Sequence, residues 1–89
     1  MDVCTRVKQF LKEGWQLIDV RTPGEYQGGR IAGATNVEMH EVQNITEGKY
    51  LVYCRSGARS GSAAAYLSSK GIEAINIGGI NQYMGCLEY

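Results

Sequence analysis

Neither sign of charge predominates in this chain: nine Lys and Arg balance nine Asp and Glu, for a formal net charge of zero. No broad basic field therefore argues for nucleic acid, and no acidic tail argues for a basic partner. Long apolar runs are also missing, so no membrane-spanning helix is predicted. The opening MDVCTRVKQFLKEG is charged and helical, unlike a signal peptide. On that reading the protein is expected in the cytoplasm. Cysteine is scarce: three residues, which with the one histidine form no C-x-x-C or Cys/His spacing. The odd count predicts neither a disulfide framework nor a zinc site, so no metal ligand is assigned. A chain of 89 residues can bury about 60–65% of its unfolded surface, enough for one modest core. Residues 1–89 are read as a single domain.

What is present is an alternation of helical and extended patterns. Residues 2–13 place Val3, Val7, Phe10 and Leu11 on one helical stripe, with Asp2 as N-cap and Gly14 ending the helix. Cys4 neighbours that stripe and is read as a small core residue. Residues 15–20, WQLIDV, form a short core strand with Asp19 near its end. Thr22-Pro23-Gly24-Glu25 then has the form of a capping box, with Pro23 at the first helical position. Residues 28–34 are glycine-punctuated and irregular, and 35–37 are extended. Residues 38–45 are predicted as a weak helix with Met39 and Val42 inward and His40 facing solvent. Later, residues 73–77 form a strand, Gly78-Gly79 a tight turn, and 80–87 a last short helix in which Cys86 is a bystander. This alternation predicts an α/β domain with a mainly parallel sheet. Sites in such sheets lie at the C-terminal ends of strands, where Asp19 and Cys54 fall.

The chain is organised around residues 49–70, KYLVYCRSGARSGSAAAYLSSK. An apolar run at 50–53 reads as a buried strand, and 60–70 as a helix with Ala63, Ala64, Tyr66 and Leu67 in period, closed by Gly71. Between them lies Cys54 in a tight loop that feeds a helix N-terminus. Loop amides, the helix dipole and the flanking Arg55 and Arg59 all favour thiolate over thiol. Cysteines so placed are lowered from about 8.5 to roughly 3.5–7.5. Cys54 is therefore read as a nucleophile. Ser60 is read as the cap of the following helix and Gly57 as a backbone-conformation residue. Arg55 is either a donor contact or a solvated loop charge. Arg59 is directed inward, towards Asp19 or a carbonyl. Asp19 supports the loop by accepting its amides or by pairing with Arg59. Arg21 and Glu25 pair at the rim, where an ion pair is worth little.

Three stretches, LIDVRTPGEYQGGRIAGATNV, VYCRSGARSGSAAAYLSSKG and INIGGINQY, together resemble a single-domain rhodanese, the thiosulfate-type sulfurtransferase family. The resemblance runs from Leu17 to Tyr83 in the family's order. It implies a three-layer domain with a small, mainly parallel central sheet flanked by helices. It also implies a persulfide on Cys54, with the loop Arg55, Ser56, Gly57, Ala58 and Arg59 supplying amides that cradle the outer sulfur. Arg55 and Arg59 would lie near an anionic donor. The implied reaction moves sulfane sulfur from thiosulfate or a similar donor to cyanide, a cellular thiol or a protein acceptor, with no metal or organic cofactor. Two substitutions depart from the family: Arg30 stands where members usually carry histidine, and Tyr83 where they often have tryptophan. The extra edge strand that many members place before the first helix is expected to be missing.

Two other readings remain. One is a persulfide carrier or regulatory module without turnover of its own, although an inactive module would normally have lost the cysteine that this loop keeps. The other is a cysteine phosphatase or arsenate reductase, since a thiolate, an arginine and a helix dipole also suit an oxyanion. Here four residues separate Cys54 from Arg59, one fewer than in the phosphatase signature. The shorter loop suits a single sulfur atom, and it carries no Asp or Glu to serve as general acid.

Overall fold

The computed structural model describes residues 2–89. Helix α1 (Val3–Lys12) starts where the sequence predicts, with the Asp2 carboxylate accepting from the Thr5 N–H at 2.8 Å. Strand β1 (Gln16–Asp19) leads into α2 (Pro23–Gln27) through the expected capping box, Thr22 and Glu25 each satisfying the other's backbone N–H. Two short strands follow, β2 (Arg30–Ile31) and β3 (Thr35–Asn36). Residues Met39–Asn44 form a 3-10 segment instead of an α-helix. Val42 is buried there as predicted, but Met39, the first residue of the segment, is exposed. His40 does face solvent.

Strand β4 (Lys49–Cys54), helix α3 (Ala58–Ser69) and strand β5 (Glu73–Gly79) complete the main sheet. Its order is β3-β1-β4-β5, every neighbouring pair parallel. Among the described residues no strand precedes α1, and β5 forms one edge. A second 3-10 segment (Ile80–Cys86) takes the place of the predicted final helix. It ends in β6 (Leu87–Glu88), which pairs antiparallel with β2. Arg30 in β2 lies 4.7 Å above the Tyr26 ring and donates to the Tyr26 carbonyl, so it braces the glycine turn.

The period of two along β4 sorts its side chains between the two faces of the sheet. Tyr50, Val52 and Cys54 join Ile18, Val20, Ala63, Ala64 and Leu67 in the core beneath α3. Leu51 and Tyr53 join Val7, Leu17, Ile31 and Tyr83 in the core beneath α1. This alternation puts the Cys54 sulfur on the α3 side. Tyr66, predicted in the inward period of α3, instead lies at its rim, where the Lys70 amine donates to its hydroxyl.

Two expectations near the carboxyl end are corrected. Gly78-Gly79 is not a turn but the bulged end of β5: Val52 pairs with Asn76 and Tyr53 with Gly78, leaving Ile77 as the extra residue. Gly78 has the positive φ, +97°, that such a bulge favours. The Tyr83 hydroxyl donates to the Ile77 carbonyl at 2.7 Å and fixes the bulge in place. The cysteines expected to be unpaired, Cys4 and Cys86, form a disulfide with Cα atoms 5.8 Å apart across a separation of 82 residues. Sequence spacing gave no sign of it, because only the packing of α1 against the 80–86 segment brings the two ends of the chain together.

Candidate active site

β4 ends at Cys54 and α3 begins at Ala58, two residues earlier than the sequence suggests. Gly57 makes the turn at φ +97°, a left-handed conformation costly for any residue with a Cβ. It stands at the N-cap position of α3 and offers no side chain to the first N–H groups. The Cys54 sulfur takes that role. It accepts from the Gly57 N–H at 3.0 Å and the Ser60 N–H at 3.4 Å, and the Ser60 hydroxyl, 3.3 Å away, can turn its one hydrogen to it. The opening N–H groups of a helix lack intrahelical partners and carry the positive end of its dipole, so negative charge on this sulfur is stabilised. Ser60 is thus not the cap of α3. It lies in the first turn and donates to the atom that does the capping.

Cys54 is 1% exposed. Burial alone pushes its thiol pKa up, but the Ser60 hydroxyl and the N–H groups of Ser60, Ser56 and Gly57 outweigh it and pull the value down to about 7. A substantial share of Cys54 is therefore thiolate at neutral pH.

A wall of β5 closes the loop from behind. Gly79 pairs with Cys54, and a Cβ there would come within 2.5 Å of the Arg55 carbonyl oxygen, so only glycine fits. Asn76, unnoticed in the sequence, ties this wall to the loop. Its Oδ1 accepts from the Ser60 hydroxyl at 2.7 Å and the Gly78 N–H at 3.0 Å, and its Nδ2 donates to the Gly57 carbonyl at 3.1 Å. An Asn in a strand of ordinary pattern, 22 positions beyond Cys54, carries no local signal of this role.

The structure brings Cys54, Ser56, Gly57 and Ser60 together but redistributes the charged residues. Arg59 does not reach Asp19. Its Nη1 and Nη2 donate to the two carboxylate oxygens of Glu25 at 2.9 and 3.1 Å. Asp19, fully buried, is held by Arg21 through its backbone N–H at 2.9 Å and its guanidinium at 2.7 to 3.0 Å. The expected partners are exchanged for a geometric reason. Arg21, two residues on from Asp19, folds back onto its carboxylate, while the first turns of α2 and α3 set Glu25 against Arg59. Asp19 consequently braces the end of β1 and accepts no amide of the loop. The Arg59 guanidinium beside Glu25 holds that carboxyl down to about 2. Arg59 still adds positive potential near Cys54. Arg55 is exposed in the loop, and among the described residues its guanidinium makes no hydrogen bond or ion pair. Ala58 opens α3 with its side chain uninvolved in any polar contact.

Among the described residues no three His, Cys, Asp or Glu side chains are grouped closely enough to hold a metal ion. The arrangement is that of a three-layer α/β domain with a thiolate held in the loop after a central parallel strand, where a helix N-terminus and loop amides meet it. The chain belongs to the Rhodanese-like domain family, whose model matches residues 4–86. It is 37% identical over 68 residues to the thiosulfate sulfurtransferase GlpE of Pseudomonas entomophila, covering 71% of this chain and 62% of that protein. It is 35% identical over 79 residues to the thiosulfate sulfurtransferase PspE of Escherichia coli, covering 80% of this chain and 74% of that protein. The crystal structure of SSP1007 from Staphylococcus saprophyticus superimposes over the whole of both chains, with a TM-score of 0.77 at 27% identity. The chain spans about three fifths of the length of several curated relatives that it matches, 61%, 56% and 62% among them.

Proposed function

We propose that this domain is a sulfurtransferase that carries sulfane sulfur as a persulfide on Cys54. The observation that supports it most is the ring of donors on one buried sulfur, two backbone N–H groups and a hydroxyl within 3.4 Å. In the first half-reaction the thiolate attacks the outer sulfur of thiosulfate or a similar donor. The new S–S bond forms on Cys54 as the donor's S–S bond breaks, and sulfite leaves with the electron pair. In the second, cyanide, a thiol or a protein acceptor attacks the outer sulfur and the pair returns to Cys54 as thiolate. Such covalent catalysis implies ping-pong kinetics. The amides act for sulfur as an oxyanion hole acts for oxygen. Arg55, exposed in the loop with no partner of its own among the described residues, would meet an anionic donor. The chemistry uses no metal or organic cofactor.

A phosphoryl group is less well served, because Arg59, five positions beyond Cys54, already has both terminal nitrogens on Glu25. No described helix is long and apolar enough to cross a membrane. The Cys4–Cys86 disulfide favours a working compartment that keeps thiols oxidised, against the expectation of a cytoplasmic protein. Incubation with thiosulfate followed by intact-mass measurement tests the proposal. A gain of about 32 Da, absent in Cys54→Ser, supports it. No gain, together with hydrolysis of an aryl phosphate, would replace it with a phosphatase.

A further inference from the structure

The Ser60 hydroxyl has one hydrogen and two acceptors. It lies 2.7 Å from Asn76 Oδ1 and 3.3 Å from Cys54 Sγ, and it cannot serve both at once. Asn76 cannot turn away to settle the competition. Its Nδ2 is held by the Gly57 carbonyl and its Oδ1 by the Gly78 N–H, so a flipped amide would set oxygen against oxygen and N–H against N–H. Ser60 is itself fully buried, whereas Asn76 stands at an exposed position of β5.

We infer that Asn76 is a positioning residue for sulfur transfer, holding the Ser60 hydroxyl while Sγ is uncharged and releasing it whenever Sγ carries the charge. The inference rests on the sulfurtransferase reading for its cycle. The free thiolate draws the hydroxyl hydrogen to itself and is stabilised for attack. Once the persulfide forms, the negative charge moves to the outer sulfur, Sγ becomes neutral, and the hydroxyl returns to the shorter bond with Asn76. When an acceptor removes the outer sulfur, Sγ is the leaving group, and the hydroxyl swings back to meet its returning charge. The hydrogen stays on the Ser60 oxygen throughout, so the device is a rotation and no proton is transferred.

The other charged groups around Cys54 are already committed. From β1, Asp19 is bound to Arg21; from α3, Arg59 is bound to Glu25 of α2; and β5 carries no ionisable side chain from Asn76 to Gly79. Arg55 is exposed in the loop, and Tyr53 belongs to the opposite face of the sheet. The Ser60 hydroxyl is thus the adjustable donor at a sulfur whose remaining donors are fixed backbone.

A double-mutant cycle read by the pH dependence of iodoacetamide alkylation of Cys54 tests this without any sulfur donor. Ser60→Ala is expected to raise the alkylation midpoint of the otherwise native chain by roughly half to one pH unit, the loss of one hydrogen bond to a charged group partly engaged elsewhere. In the Asn76→Ala background the hydroxyl has lost the acceptor that competes with sulfur, and the same substitution is expected to raise the midpoint by about half a unit more. A brace that merely stiffens the loop would give the opposite sign: without Asn76, Ser60 would be less well placed and its removal would cost the same or less. That result would overturn the inference. Asn76→Asp keeps the acceptor and strengthens it while setting its second oxygen against the Gly57 carbonyl, so in the folded variant the Ser60→Ala shift should fall below the native one. A shift there as large as the native one would also overturn the inference, and this arm decides if far-UV circular dichroism shows Asn76→Ala unfolded. Thiosulfate loading of the same variants, read by mass, reports separately on the sulfurtransferase reading. Its failure with an intact cycle would leave the hydroxyl switch standing and remove the reaction.

Discussion

Cys54 sits at the C-terminal end of a parallel strand among N–H groups that converge on it, whereas Cys4 and Cys86 sit in α1 and the 80–86 segment, where sulfur meets sulfur. Cys54 is the more deeply buried, so exposure does not explain which is reactive. The difference lies in what faces each atom. A helix start and a glycine turn make Cys54 an anion site, while the other pair is a cross-link between the chain's ends. One region is shaped by local backbone geometry that a short sequence motif can encode. The other exists only once the whole domain has closed.

Four changes separate the two regions, the largest effect first. Cys54→Ser removes the proposed nucleophile, and thiosulfate sulfurtransfer should fall by at least about a thousandfold in a cyanide-coupled assay. The double replacement Cys4→Ala with Cys86→Ala leaves the loop alone but frees a separation of 82 residues. Urea unfolding should then show a loss of about 4 kcal/mol on chain entropy. The Cys54 alkylation midpoint should not move. Gly79→Ala drives a Cβ against the Arg55 carbonyl. It should cost about 2 kcal/mol in the same unfolding experiment and slow loading about tenfold, because the loop must shift.

The smallest effect concerns Glu25, whose folded pKa of about 2 lies below its ordinary 4.5. A depressed carboxylate stabilises the fold fully above the unfolded value and loses that contribution as pH falls from about 4.5 towards 2. A stability profile across that window should slope more gently in Glu25→Gln, the two profiles running parallel above about pH 5.5, roughly one unit clear of the unfolded pKa of 4.5. An identical slope in both proteins would show that the Arg59–Glu25 pair does not fasten α2 to α3.

Much of this molecule was legible in the sequence because the signals were local. The Thr22–Glu25 capping box, the apolar run at residues 50–53 and the thiolate-favouring loop at Cys54 each need only a few neighbouring residues to act. The sequence reading failed where partners were distant or several were available. Two arginines and two carboxylates allowed more than one pairing, and only the placement of α2 against α3 chose between them. Asn76 acts across the loop onto Gly57 and Ser60, and no motif marks it. Gly78 and Gly79 signal a special backbone but do not distinguish a bulge from a turn; the register against β4 does. Cys4 and Cys86 were misread because spacing rules detect frameworks and metal sites, not one bridge between chain ends.

The most direct measurement is the rate of Cys54 alkylation as a function of pH, with Cys4 and Cys86 left oxidised. A sulfur held by the Gly57 and Ser60 donors gives a single titration with its midpoint near 7. A midpoint near 9, the value of an ordinary thiol, would mean that burial cancels those donors and that the loop does not prepare a nucleophile.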